Sequence, residues 1–337
     1  MYFFTLINHH DIVVNRYYSN RKGESMIKVF KSEVDKVNLC EQIEKDCWID
    51  LINPTKEEVQ KVSTICGIDD SVIMQVLVEK EFPRVKKVSG GTLIVIDVPY
   101  MKDRSIKNKY VTYPLGIIMC DNHLIITVSL VEHEFLKKFK LGEVEDFDIR
   151  KRVRFLLQMI FNSAEAYLYT LDSLEADIQR VEKHTYHSTN NKQLLNFLNI
   201  QKSLVYFITS LRANSTVLER LQKEDIIPLN KEEKVLLEDA IIENKQCIEN
   251  CAISREILSS TIDAYGTIIS NNLNVIVKFL TAITIVFSVP TMIASFLGMN
   301  VPLGIVGESD LSFLIICIIS FIVSLILAWW LRKRDML

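Results

Sequence analysis

The chain is short of helix-breaking residues through its middle and short of charge near its end. There is no proline over residues 148–227 and no glycine between Gly142 and Gly266. That excludes a loop-rich or all-β middle, because tight turns lean on those two residues. Over residues 275–331 the only charged side chains are Lys278, Glu308 and Asp310. The formal net charge of the 337 residues is −3, which removes any global case for binding nucleic acid. The seven cysteines form no C-x-x-C pair. Cys247 and Cys251 stand one helical turn apart with no histidine or second pair nearby, so they read as reduced thiols rather than metal ligands. An odd, unpatterned cysteine count suits a reducing compartment. No G-x-x-x-x-G-K-[ST] loop occurs, which argues against a nucleotide-driven pump. His9-His10 and His184/His187 are the only histidine clusters, and neither has a nucleophile or ligand set beside it, so an enzyme is not expected.

The first residues also lack something. "MYFFTLI" is too short an apolar core for a secretory signal and is followed by His and Asp. "RKGES" precedes Met26, and Gly-Glu codons resemble a ribosome-binding site. Met26 therefore reads as the natural start, and 1–25 as an over-extended or disordered N-terminus.

What the chain does have is two long apolar runs, 275–297 with one charge at Lys278 and 311–331 with none. At about 1.5 Å rise per residue each reaches roughly 30 Å, the depth of a bilayer's hydrocarbon core. Both read as transmembrane helices. Arg332-Lys333-Arg334 follows the second directly, and Trp329 and Trp330 stand where an interfacial aromatic belt belongs. The positive-inside rule puts this basic tail, 332–337, in the cytoplasm, and two spans return the chain to its starting side. The large N-terminal part is then cytoplasmic, and the loop 298–310, carrying Glu308 and Asp310 and no base, is extracellular. Two acids raise the local cation concentration there.

Residues 26–146 read as a mixed α/β domain. "MIKVFKS", "CWIDLIN", "TLIVIDVPY", "KYVTYPLGIIMC" and "HLIITVS" read as strands. A helix opens at Thr55 and closes at Gly67, a second covers "DSVIMQVLV", and "EHEFLKKF" reads as a third. Residues 147–230 carry heptad-like apolar spacing, broken at "TYHSTNNKQ", and read as two long antiparallel helices. A stalk helix over 231–274 runs on into the first span. Unbroken, 231–297 reaches about 100 Å, which calls for an assembly to cover it; the alternative is a hinge at Gly266.

Read in steps of three and four, the first span gives Asn274, Val277, Thr281, Thr284, Ser288, Thr291, Ser295 and Gly298. All but Val277 and Gly298 carry a hydroxyl or amide. Small polar residues also promote helix packing in membranes. A line of full span length is better read as a wet path between several copies of this helix. Lys278 lies off the line and snorkels. Neutral oxygens suit a hydrated divalent ion such as Mg2+, which gives up its waters reluctantly.

Gly298-Met299-Asn300, at the end of the first of two C-terminal spans and ahead of a basic tail, resembles the hallmark of the CorA family of divalent-metal transport proteins. "WIDLINPTKEE" and "NVIVKFLTAITIVFSVPTMIASFLGMN" resemble the family's N-terminal segment and first span, and the likeness covers about 26–337. The resemblance implies a funnel-shaped homopentameric Mg2+ channel of a bacterial plasma membrane, with five copies of the first span lining the pore and no organic cofactor. It implies that Gly298, Met299 and Asn300 form the selectivity filter, Asn300 capturing the hydrated ion. Asn274 and Leu280 fall at narrow parts of the pore. It further implies closure by cytoplasmic Mg2+ bound between subunits, with Asp239 and Asp263 on the stalk and Glu79 or Glu81 as the facing carboxylate. Where some members carry a bulky mid-pore Met this chain has Ser288, leaving Leu280 more of the hydrophobic constriction. Zn2+, Co2+ or Ni2+ transport by the same architecture is the first alternative. A membrane-anchored signalling or scaffold protein is the second, and it predicts that changes at Asn300 and Ser288 leave function untouched.

Overall fold

A computed structural model describes residues 27–33, 36–101, 110–185, 191–223, 226–299 and 310–334. Seven strands form one mixed sheet: β1 Ile27–Glu33, β2 Lys36–Cys40, β3 Cys47–Ile52, β4 Arg84–Val88, β5 Gly91–Met101, β6 Tyr110–Cys120 and β7 Ile125–Ser129, in the order β2-β1-β3-β7-β6-β5-β4. Only β3 and β7 pair in parallel. The central strands are buried on both faces, which is why their sequences read as continuous apolar runs. On β5, Leu93 and Val95 enter one core, while Ile94, Ile96 and Val98 enter the other.

Helices α1 (Lys56–Cys66) and α2 (Asp70–Val76) cover the first face. The start of α1 is set by a reciprocal cap: Glu58 N–H donates to the Thr55 hydroxyl at 3.3 Å, and Thr55 N–H to the Glu58 carboxylate at 2.9 Å. Gly67 ends it in the left-handed region at φ 71°. At Gly116 a Cβ would lie 2.7 Å from a Val76 methyl, so the missing side chain lets α2 settle on the sheet. The second face carries α3 (Leu136–Lys140), α4 (Arg152–Thr185) and α5 (Asn191–Lys223). Here Trp48 packs between Phe30 and Phe155, with ring centroids 4.9 and 5.2 Å away. Asn214 of α5 clamps the β5 backbone at Asp97, accepting its N–H at 2.9 Å and donating to its carbonyl at 2.8 Å.

The helix expected over "EHEFLKKF" is confined to Leu136–Lys140. His133 turns inward, its Nε2 2.8 Å from the Ser129 hydroxyl oxygen. Ser129 donates its own proton to Pro114 O at 3.1 Å, so Nε2 is the donor in that pair and Nδ1 carries the lone pair. Asp50 lies in the same interior, paired with Lys140 at 2.7 Å and accepting from Thr127, whose hydroxyl also accepts from Trp48 Nε1. Burial, helped by Lys140 and opposed by Asp50, pushes His133 from its ordinary 6.5 down to about 4. The sign follows: below pH 6.5 the unfolded chain takes a proton that the folded chain refuses. Stability is therefore intact above 6.5 and falls by about 1.4 kcal/mol per pH unit towards 4. Urea unfolding of the N-terminal unit, followed in detergent between pH 7 and 4, is expected to lose much of this slope in His133→Gln. Equal slopes in both proteins would defeat the assignment.

One compact unit extends to Leu258, taking in α4, α5 and the first part of α6 (Lys231–Leu297), whose Leu237 and Ala240 join the second core. The start of α6 is also boxed, with Asn230 and Glu233 exchanging bonds of 2.8 and 2.9 Å. Cys247 and Cys251 are buried free thiols. Cys247 donates to Ala164 O at 3.4 Å, and burial holds both up to about 12, a state that suits packing rather than metal binding. As expected without the hinge, α6 stays helical through Gly266 and Pro290 for 67 residues. The second unit, Ser259–Leu337, holds the remainder of α6 and α7 (Asp310–Lys333). Both α6 and α7 are long and apolar enough to cross a membrane, and only 6% and 17% of their most apolar windows are buried. That little cover distinguishes them from core helices of a soluble domain.

Candidate ion pathway

Within the second unit, α6 and α7 each have one covered face. On α7 the buried positions are Ser320, Ser324 and Leu331, with Ile316, Leu327 and Ala328 half-buried. On α6 they are Ala282, with Ile283, Val286, Val289, Pro290, Ile293 and Leu297 half-buried. The small residues Ser320 and Ser324 stand one turn apart on α7, and Ser324 donates to Ser320 O at 2.9 Å. At the far end, Lys333 and Arg334 sit over the Trp329 and Trp330 rings, 5.7 and 5.2 Å from the centroids.

The polar line lies elsewhere on α6. Asn274, Val277, Thr281, Thr284, Ser288, Thr291 and Ser295 are all exposed, as are Leu280 and Gly298. A groove of about 650 Å³ runs along it, bounded by Thr284, Ser288, Thr291 and Ser295 with Phe287 and Met292. Every one of the first four hydroxyls in this line donates its proton to its own helix. Thr281 bonds Val277 O at 2.8 Å, Thr284 bonds Leu280 O at 2.8 Å, Ser288 bonds Ile285 O at 2.8 Å and Thr291 bonds Phe287 O at 3.0 Å. This back-bonding makes the hydroxyls cheap to hold in an apolar setting. It also fixes what they offer outward: with the proton spent, each oxygen presents only lone pairs. The row is a line of acceptors, a chemistry not legible in residue spacing.

Gly298 N–H donates to Ala294 O at 3.0 Å, ending the helix. Its backbone is not left-handed, and a Cβ there would meet Ala294 O at 3.5 Å, an ordinary contact. Among the described residues, nothing requires glycine at this point. Met299 is exposed. Asn300, Glu308 and the Asp310 side chain lie outside the described residues, as do residues 1–26 and the proposed start at Met26.

The four acids read as sensor residues are not gathered in one chain. Asp239 and Asp263 are exposed on α6. Glu81 is held by the Arg84 guanidinium, while Glu79 is exposed and only distantly approached by the Tyr113 hydroxyl, at 3.5 Å. Among the described residues, no three His, Cys, Asp or Glu side chains come together to hold a metal.

Comparison with known proteins gives a consistent result. The family model described as "CorA-like Mg2+ transporter protein" matches residues 44–333. The cobalt/magnesium transport protein CorA of Methanocaldococcus jannaschii is 28% identical over 290 residues, covering 85% of this chain and 90% of that protein. The protein of the same description from Thermotoga maritima is 22% identical over 268 residues, covering 75% and 72%. The complete structure of the M. jannaschii CorA magnesium transporter superposes with a TM-score of 0.77 at 24% identity, covering 92% of this chain and 98% of that one.

Proposed function

This chain belongs to the CorA-like Mg2+ transporter family, membrane transporters of divalent cations rather than enzymes, and from that premise we propose that it is a homopentameric channel for hydrated Mg2+. The observation that carries the reading is the acceptor row on α6, on the face that α7 leaves bare. Water bound to a divalent cation turns its hydrogens outward and needs acceptors; a lining of spent hydroxyls provides them without stripping the ion. Those four hydroxyls have no protons left to offer an anion.

In this reading five copies of α6 surround one axis, with α7 outside them. Asn274 and Leu280 narrow the path, Thr281, Thr284, Ser288, Thr291 and Ser295 wet it, and Gly298, Met299 and Asn300 form the outer filter. Gly298 serves close approach between copies, since its own chain does not demand it. Glu308 and Asp310 draw cations to the mouth. The basic tail lies on the cytoplasmic side of the plasma membrane, and Mg2+ flows inward down its gradient. Cytoplasmic Mg2+ closes the channel by bridging subunits through Asp239 and Asp263, with Glu79 as the facing carboxylate; Glu81, committed to Arg84, is the weaker candidate.

Purified protein in liposomes tests this. Mg2+ should enter without nucleotide or an imposed proton gradient, and cobalt hexaammine, a mimic of the hydrated ion, should block it. Zn2+ entry without Mg2+ entry, or a need for a pH gradient, would overturn the Mg2+ reading in favour of the zinc alternative. In the same liposomes, Asp263→Lys or Asp239→Lys should weaken inhibition by internal Mg2+; an unchanged inhibition curve removes these acids from the sensor.

A further inference from the structure

Two buried cysteines meet at one end of the sheet. Cys66 is the last residue of α1 and Cys120 the last of β6, and they are 3% and 1% exposed. Their neighbours are locked together on both sides. The Asn122 side-chain amide donates to Ile65 O at 3.4 Å, and Asp121 N–H donates to Gly90 O at 2.9 Å. A Cβ at Gly90 would stand only 2.3 Å from Gly67 O, and Gly91 is the ladder partner of Cys120. The backbone on either side of Cys66 is thus pinned to the backbone around Cys120. Both sulfurs enter the same apolar core, where the Cys120 thiol also lies 4.0 Å from Ile118 O. The neighbouring Cys120 thiol holds the Cys66 thiol below the ordinary range, while Cys66 and burial together drive Cys120 up. The other buried thiols, Cys47, Cys247 and Cys251, are pushed up by burial. Cys66 alone among them is tilted towards thiolate, with a second thiol beside it.

We propose that Cys66 and Cys120 form a peroxide-oxidisable dithiol whose disulfide ties the end of α1 to the end of β6. The Cys66 thiolate attacks one oxygen of hydrogen peroxide, the O–O bond breaks and hydroxide leaves, giving a sulfenic acid. The Cys120 sulfur then attacks the Cys66 sulfur. The S–O bond breaks, and the departing hydroxide leaves as water with the Cys120 proton. Two electrons pass from the two sulfurs to the peroxide; the first hydroxide takes up the proton that Cys66 released on ionising, so the products are one disulfide and two waters. Hydrogen peroxide is little larger than water, which suits a pair with so little open surface. The bond would fix α1 at the point where it hands on to α2, the helix that precedes Glu79 and Glu81.

The test is to titrate the full chain in detergent with hydrogen peroxide, digest it without reductant and weigh the peptides. A Cys66–Cys120 linked peptide, lighter by two hydrogens and split by dithiothreitol, is expected. Cys120→Ser should instead leave a sulfenic acid at Cys66 that dimedone traps, and Cys66→Ser should leave Cys120 unoxidised. The proposal is overturned if both residues of the unmodified sequence remain free thiols at a dose that oxidises Cys40, or if Cys120 oxidises equally well in Cys66→Ser.

Discussion

Asn300→Ala is expected to abolish Mg2+ uptake into liposomes while the protein still elutes as the assembled species. An amide oxygen ahead of an acceptor-lined path is suited to take a hydrogen from a water already polarised by the ion. Hydrogen bonds to charged partners are worth about 1.5–3 kcal/mol each. In the proposed pentamer, losing even two or three such bonds would lower ion occupancy by at least two to three orders of magnitude at about 1.4 kcal/mol per decade. Alanine also leaves the loop's charge untouched, so attraction by Glu308 and Asp310 persists and cannot account for the loss. Uptake at the normal rate would remove Asn300 from ion capture and would favour spans that merely anchor the chain.

Ser288→Leu is the second large effect, and it probes the path rather than its mouth. Ser288 is exposed on the bare face of α6 and bounds the groove together with Thr284 and Thr291. Leucine removes an acceptor from every copy and puts a branched apolar side chain in its place. A hydrated ion passing that level must then shed water or face oil, and burying polar groups without partners costs several kcal/mol. Mg2+ flux is expected to fall by about two orders of magnitude or more, with the melting temperature of the N-terminal unit unchanged. Ser288→Thr, which can repeat the bond to the helix carbonyl, should conduct. If leucine conducts as serine does, the bare face of α6 does not line the ion's route.

The sequence made the central strands legible because they are buried on both sides and rich in branched side chains. It hid β2 and β4, and these are the two edges of the sheet. "KVNLC" and "RVKKV" look like loops because an exposed edge does best with lysine and arginine. Their strand state comes from pairing with β1 and β5, which no local pattern records. The inward turn of His133 was equally silent, since it depends on Ser129 and on a core assembled from distant segments. In α6 the position of the polar line could be read in steps of three and four, because the helix is regular. That its hydroxyls are spent on their own carbonyls could not be read, since this depends on side-chain rotamers. The acids proposed as a sensor were least legible, since a site completed between copies would leave no spacing in one chain.

Pro290 has a mechanical consequence. A proline cannot donate to the carbonyl one turn back, so the ladder of α6 has a rung missing there. The gap falls between Ser288 and Thr291, in the stretch that bears the groove. A rod of 67 residues stores elastic strain along its whole length and yields first where it is softest. Bending of the shaft is therefore concentrated beside the polar line, and in the proposed channel that turn is one the ion would pass.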